Sequence, residues 1–426
     1  MTLPLAVAAV SRLDTLITRE RVRNYSLIFL VLGAAAVVLN VALGPYPMTA
    51  AKEVAFPDYV AHWTGGRLLL EGRVDSLYDP AVQAELQRRE LPESSGLFWF
   101  VSPPPAAFLY LPLAALPYAV SALLWTVLTA ACLAAAVVLA RPLMAGRARD
   151  YPVLVIVFVA SPAVLELVGA GQDSGLALLL IMVGLRLLLS RRDVLAGGVL
   201  ALGIFKPQLF VLVPLALLAQ QRFRAVASFL GTAVSLCAAS LLVLGADVWR
   251  SWWAAIASPL YQSGVQVGQT WKMQSVSALL TSFGAPQALA YGVLVLGAVV
   301  LVHRVARTRS DTAQVWALTL LTTVVCSPHV MSYDLVVLLP VLTYLASGPT
   351  RAAVRLLSVV TVVLLASVAL RLPLSQLDPG HWGLVAAPWS ALPLLGLWMV
   401  LLRSASSTDD TGRQVTEVVE GHAVTG

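Results

Sequence analysis

Charge is what this sequence has least of. Asp, Glu, Lys and Arg make up 12% of 426 residues, about half the share usual in a soluble domain. Cysteine is nearly missing as well. Cys132, Cys237 and Cys326 all sit in apolar runs, with no CxxC and no metal-ligand spacing. No HExxH or DxD occurs, and the acids and histidines are spread out, so neither a metal nor a cofactor is expected. The alternating pattern of barrel strands is also lacking.

What is present is apolar. Hydrophobic residues account for 59% of the chain and mean hydropathy is +0.83. Many runs rich in Leu, Val and Ala are long enough to cross a bilayer at about 20 residues per helix. The expected fold is an all-α polytopic membrane bundle. The net charge of +6 does not point to nucleic acid, because the arginines cluster between apolar runs as the positive-inside rule predicts.

Those arginines set an expected topology. Arg12, Arg19, Arg21 and Arg23 precede the first span, placing the N-terminus in the cytoplasm. Alternation then gives about twelve spans, with both termini inside and the protein in the plasma membrane. Residues 1–24 read as a cytoplasmic lead-in rather than a cleaved signal, and 25–403 as one membrane domain. Within it, 44–117 forms a first outer loop. Residues 404–426 read as a polar, disordered tail. The segment between Arg191-Arg192 and Arg222/Arg224 is too short for two crossings, so a hairpin of two short helices turning at Lys206-Pro207 is expected.

On this topology the polar groups outside the arginine clusters converge on the outer face. In "AFPDYVAHWTGGRLLLEGRVDSLYDP", Asp58 opens an amphipathic helix ended by Gly72. It serves either as its N-cap or as a general base kept ionised by the helix dipole. His62 and Trp63 follow a turn later. Trp63 is an interfacial anchor or a platform for a sugar face. Arg67 meets phosphate or pairs with Glu71 at i+4. Lys206 is the strongest clue, because a Lys within a span costs about 2.5–3.5 kcal/mol on insertion scales. It faces a cavity and an anion, or it snorkels to headgroups.

Gln172, Asp173 and Gln208 line the same rim or act as caps. His329 in "SPHVMSYD" is hydrogen-bonded structure or chemistry. Asp334 is in reach of His329 or Lys206, and Lys272 adds a cation. Tyr78 and Gln274 complete the substrate-side candidates. Trp249, Trp252, Trp253 and Trp271 read as an interfacial belt rather than a ligand cage. The run "FWFVSPPPAAFLYLPLAALP" enters extended at Pro103–Pro105 and suits an amphiphilic cleft for a lipid. One acid beside several cations at the end of a membrane groove fits attack by a hydroxyl on a sugar carried by a lipid phosphate.

These residues resemble glycosyltransferase family 87. The resemblance runs over about 50–340, through the two stretches quoted above and "GQDSGLALLL", "LAGGVLALGIFKPQLFVLVPL" and "SPHVMSYDLVVLLP". It implies a GT-C-like fold and inverting transfer of mannose or a related hexose, which the lack of a metal cage in the sequence makes metal-independent. The donor it implies is a polyprenyl-phosphate sugar, and the acceptor a glycolipid or glycan, outside the cytoplasm. By that resemblance Asp58 matches the catalytic aspartate of the first outer loop. Lys206 and His329 fall where donor-phosphate contacts are expected, with Lys272 and Arg67 as further candidates. The competing expectations are a lipid-linked-sugar flippase or transporter, or a noncatalytic relative that binds the lipid carrier.

Overall fold

The computed structural model describes residues 18–94, 96–144, 149–307, 311–347 and 387–403. Most of the expected lead-in, the expected span at 354–370, the loop "RLPLSQLDPGHW" and the tail from 404 lie outside them. The described chain is 78% helix with no strands. Its extended pieces meet only in two isolated bridges, Met48 to Val54 and Met273 to Met331.

Among the described residues, four helices are long and apolar enough to cross a membrane: Arg19–Ala42, Tyr118–Met144, Phe223–Leu244 and Gln287–Arg307. Tyr151–Val159 and Pro162–Ala170 make a fifth if taken as one span bent by 48°. Pro162 causes that bend. It lacks the amide a continuing helix needs, and Ser161 restarts the helix by accepting from the Val164 amide. The remaining apolar helices have 10–17 residues. The Arg19–Ala42 helix buries none of its residues, and Val31, Leu32 and Leu242 stand more than 60% exposed. Such surfaces are untenable in water but ordinary against lipid.

The hairpin expected at Lys206-Pro207 is present. Asp193–Phe205 and Pro207–Ala219 are two short apolar helices, each about 20 Å long against a hydrocarbon core of about 30 Å. The chain breaks at Lys206, whose φ of −133° and ψ of 65° are not helical. Arg222 then pairs with Asp193 at 2.6 Å and donates to the Leu188 carbonyl. The segment therefore ends beside its own beginning, which makes it re-entrant. Gly197 and Gly203 permit this tight return. A Cβ on Gly197 would lie 2.1 Å from the Ala225 carbonyl oxygen, and one on Gly203 2.4 Å from the Phe210 ring.

The helix Pro57–Leu70 is less amphipathic than the sequence suggests. Eight of its 14 residues are buried, because Gly65 and Gly66 let it settle onto Phe100, Tyr110 and Ala114. It ends at Leu70 with Glu71 as its cap, one residue before the left-handed Gly72.

The proline-rich run behaves as two pieces. Residues up to Pro103 are extended, but Pro104 and Pro105 lie in the first turn of the helix Pro104–Ala114, where a missing amide costs nothing. The extended piece has no strand partner, and two buried glutamines supply one. Gln83 donates to the Phe100 carbonyl at 3.1 Å and accepts from the Phe100 amide at 2.7 Å. Gln87, one helical turn on, does the same for Phe98 at 2.7 and 3.0 Å. Substitution Gln83→Ala strands the Phe100 backbone groups in a dry interior, at about 1–3 kcal/mol per unsatisfied group. The expected outcome is a lower midpoint of thermal unfolding in detergent. An unchanged midpoint would mean that the clamp does not hold this wall.

Candidate functional site

One cavity of about 550 Å³ gathers the chemistry-bearing side chains. Its inner end is built by three chain turns. The first is the start of the helix Pro57–Leu70. Phe56 precedes it in the left-handed region at φ 58°, and its carbonyl accepts from the Tyr118 hydroxyl at 3.0 Å. Backbone of this kind is strained in a non-glycine residue. Pro57 and Asp58 follow in the first turn, and no side chain caps the helix. Asp58 is therefore not an N-cap. Its half-buried carboxylate faces the cavity and accepts from Gln172 Nε2 at 2.8 Å.

The second turn is Gly171, which ends the helix Pro162–Ala170 at φ 75°. A Cβ there would meet Phe56 and Tyr59 at 2.9 Å. Glycine serves both the positive φ and the close approach, and Trp125 Nε1 donates to its carbonyl at 2.9 Å. The reversal brings Gln172, Asp173 and Ser174 under Asp58. The third turn is the tip of the re-entrant hairpin, which delivers Lys206.

Lys206 is 6% exposed and fully engaged. Its ammonium lies 2.8 Å from both Asp173 and Asp334, 2.6 Å from Ser174 Oγ and 3.3 Å from Gln172 Oε1. Asp173 also accepts from the Tyr110 hydroxyl at 2.8 Å, and Asp334 from Ser174 Oγ and from the Met331 amide at 3.0 Å. Gln172 thus bridges the ammonium to Asp58. Of the two readings given to Asp334 by the sequence, the pairing with Lys206 is the one realised.

Two imidazoles reach the cavity. His62 stacks on Tyr110 at 4.5 Å, with Nε2 3.9 Å from Asp173, beyond hydrogen-bonding distance. Burial lowers its pKa, although Asp173 pulls the other way. His329 meets Gln266 Oε1 through Nδ1 at 3.2 Å, and burial pushes it down to about 4. Both rings are neutral at pH 7, and neither nitrogen of His62 has a hydrogen-bond partner among the described residues.

Of the residues singled out in the sequence, Asp58, His62, Gln172, Asp173, Lys206, Gln208 and His329 line this cavity. Asp334 sits fully buried behind Lys206. The other candidate substrate and phosphate ligands lie off its lining. Trp63 is buried and donates to the Leu116 carbonyl at 3.1 Å. Tyr78 donates to the Ser102 carbonyl at 2.8 Å. Arg67 pairs with Glu71 at 3.1 Å, and Glu71 also binds Arg89 at 2.5 Å. Burial raises the Glu71 carboxyl, but these two arginines more than offset it and hold it low. Lys272 rests over the Trp271 ring at 5.1 Å. Gln274 donates to the Lys272 carbonyl at 3.2 Å and accepts from Ser390.

The sequence reading missed the outer wall. Trp252 and Trp253, assigned to an interfacial belt, line the cavity with Trp99, Tyr261, Gln262, Gln266 and Gln269. Glutamines at 262, 266 and 269 beside the Trp252-Trp253 pair were the available signal.

Apolar helices around a buried polar cleft define an all-α membrane protein with an internal site. The model of glycosyltransferase family 87 matches residues 100–328, more than half the chain. The chain belongs to that family and is a glycosyltransferase. Lys206 falls inside the matched segment, Asp58 and His62 before it and His329 just after it. No curated protein and no solved structure matches the chain.

The buried charge cluster generates a test. Substitution Lys206→Met leaves Asp173 and Asp334 facing each other without a counter-ion, which costs about 3–5 kcal/mol in a buried pair. Asp173→Asn keeps Lys206 paired one-to-one with Asp334 and costs less. Thermal unfolding of the unliganded protein in detergent is expected to rank wild type above Asp173→Asn above Lys206→Met. Equal midpoints would show that Lys206 has no structural role before substrate arrives.

Proposed function

We propose that the chain transfers a hexose, mannose or a close relative, from a polyprenyl-phosphate donor to a hydroxyl of a glycolipid or glycan. The observation that carries this reading is the Asp58 carboxylate. It is held at a helix start by one amide and opens into the same cavity as Lys206 and His329.

The acceptor oxygen attacks the anomeric carbon as its hydroxyl proton passes to Asp58. The bond from that carbon to the phosphate oxygen breaks on the opposite side. Its electron pair leaves with polyprenyl phosphate, so the anomeric centre inverts. Lys206 faces the growing phosphate charge, and His329 joins it only on taking up a proton at Nε2, because its neutral ring donates through Nδ1 to Gln266. Gln172 and Gln208 lie at the reacting sugar. The phosphate competes with Asp173 for the ammonium rather than meeting a bare cation, as the contacts at 2.8 Å require. No metal takes part in this reading.

The arginine clusters support a plasma-membrane protein of about twelve spans with cytoplasmic termini. In that arrangement the cleft opens outside the cytoplasm.

Substitution Asp58→Asn keeps the shape and a partner for Gln172 but removes the base. Transfer from polyprenyl-phosphate hexose to membrane glycolipid extract, read as a mass gain of one sugar, is expected to fall about 10²–10⁴-fold with unfolding unchanged. Transfer at the wild-type rate would remove Asp58 from the mechanism.

A further inference from the structure

The outer half of the cavity has a chemistry unlike its charged floor. The helix Ala246–Ala257 contributes Trp252 and Trp253. A π-helix, Leu260–Val267, follows it, and its wide turn is marked by the Gly268 amide donating to the Ser263 carbonyl at 2.8 Å. π-Turns are uncommon and cluster at functional sites. This one sets Tyr261, Gln262 and Gln266 along the cavity, with Gln269 just beyond.

Trp99 closes the wall from the extended segment, edge-on to Tyr261 at 6.5 Å. Gln266 ties the wall to the inner site, accepting at Oε1 from His329 while its amide donates to the Tyr261 hydroxyl at 3.4 Å. Gln262 donates to the Ile256 carbonyl at 2.6 Å. Among the described residues, its Oε1 and the whole Gln269 amide have no protein hydrogen bond. Trp253 is 60% exposed.

Flat aromatic faces with amides between them suit a ligand that is both ring-like and rich in hydroxyls. Each amide offers a donor and an acceptor, and an indole supplies an apolar face with a polar edge. A prenyl chain has no use for three glutamines. The donor's own sugar must lie at the inner end, within reach of Asp58. We propose that the wall of Trp99, Trp253, Tyr261, Gln262, Gln266 and Gln269 is a saccharide subsite for the acceptor. It holds a sugar unit beyond the one whose hydroxyl is attacked. The acceptor is then already glycosylated, and the reaction that precedes this one is itself a glycosyl transfer. The assignment of this sugar to the acceptor rests on the reading in the preceding subsection.

The test needs no donor. Full-length protein in detergent is titrated with soluble gluco-, manno-, galacto- and arabino-oligosaccharides of two to four units, followed by ligand-observed NMR. Polyprenyl phosphate binding is measured in parallel by thermal shift. Gln269→Ala removes a side chain with no protein hydrogen bond among the described residues, and Trp253→Ala removes a ring that packs on Trp252 at 4.7 Å. The wild type is expected to bind at least one oligosaccharide. Each variant should weaken that binding about tenfold, the size of one lost stacking face or bidentate contact, and leave polyprenyl phosphate binding unchanged. No saccharide binding by the wild type overturns the proposal. So does a variant that loses polyprenyl phosphate but keeps the saccharide, because the wall is then a lipid rail. Saccharide binding by a wild type that ignores polyprenyl phosphate supports the subsite and counts against the donor.

Discussion

A single ammonium between two carboxylates organises this protein. Lys206 comes from a re-entrant hairpin, Asp173 from the head of the helix Ser174–Leu189, and Asp334 from the turn after the helix Thr312–Cys326. None of the three charges is tolerable alone in a dry interior, and each partner is supplied by a different part of the chain. Meeting at 2.8 Å, they lock three elements into one register. Gln172 extends that lock to Asp58, so the orientation of the half-buried carboxylate depends on a charge balance formed behind it.

The cavity is held open by polar groups that substitute for regular structure. Its extended wall cannot join a sheet in an all-helical protein, and Gln83 and Gln87 stand in for the missing strand. The two hairpin helices are each too short to cross a bilayer, and the break between them carries the charge of Lys206. Irregular backbone in an apolar bundle is stable where it lines protein or a polar cavity. The features that break helical regularity are the ones that make the site.

Much of this was legible in the sequence where a local rule applied. The arginine pairs around the hairpin and the proline after Lys206 fixed the re-entrant turn, because length and a missing amide are local constraints. The cluster of Asp58, Gln172, Lys206 and His329 stood out because polar groups in an apolar chain are few. Reading Asp58 as an N-cap failed because Phe56, in a left-handed conformation, occupies that position. Arg67 and Lys272 looked like phosphate ligands by charge alone, yet neighbours satisfy them away from the cavity. Trp252 and Trp253 were grouped with Trp249 and Trp271 as a belt, because an indole at a membrane interface and one at a cavity wall have the same local sequence.

Composition and the spacing of prolines and arginines by themselves determined that the chain is a helical membrane protein with polar groups set apart from its apolar spans. Periodicity, chain length and missing amides act over a few residues and can be read directly. Tertiary structure alone decided which of those polar groups share a cavity, which neutralise one another and which turn away. Contacts between residues 58 and 172, or 206 and 334, form through space. Their partners are chosen by the packing of helices far apart in the chain.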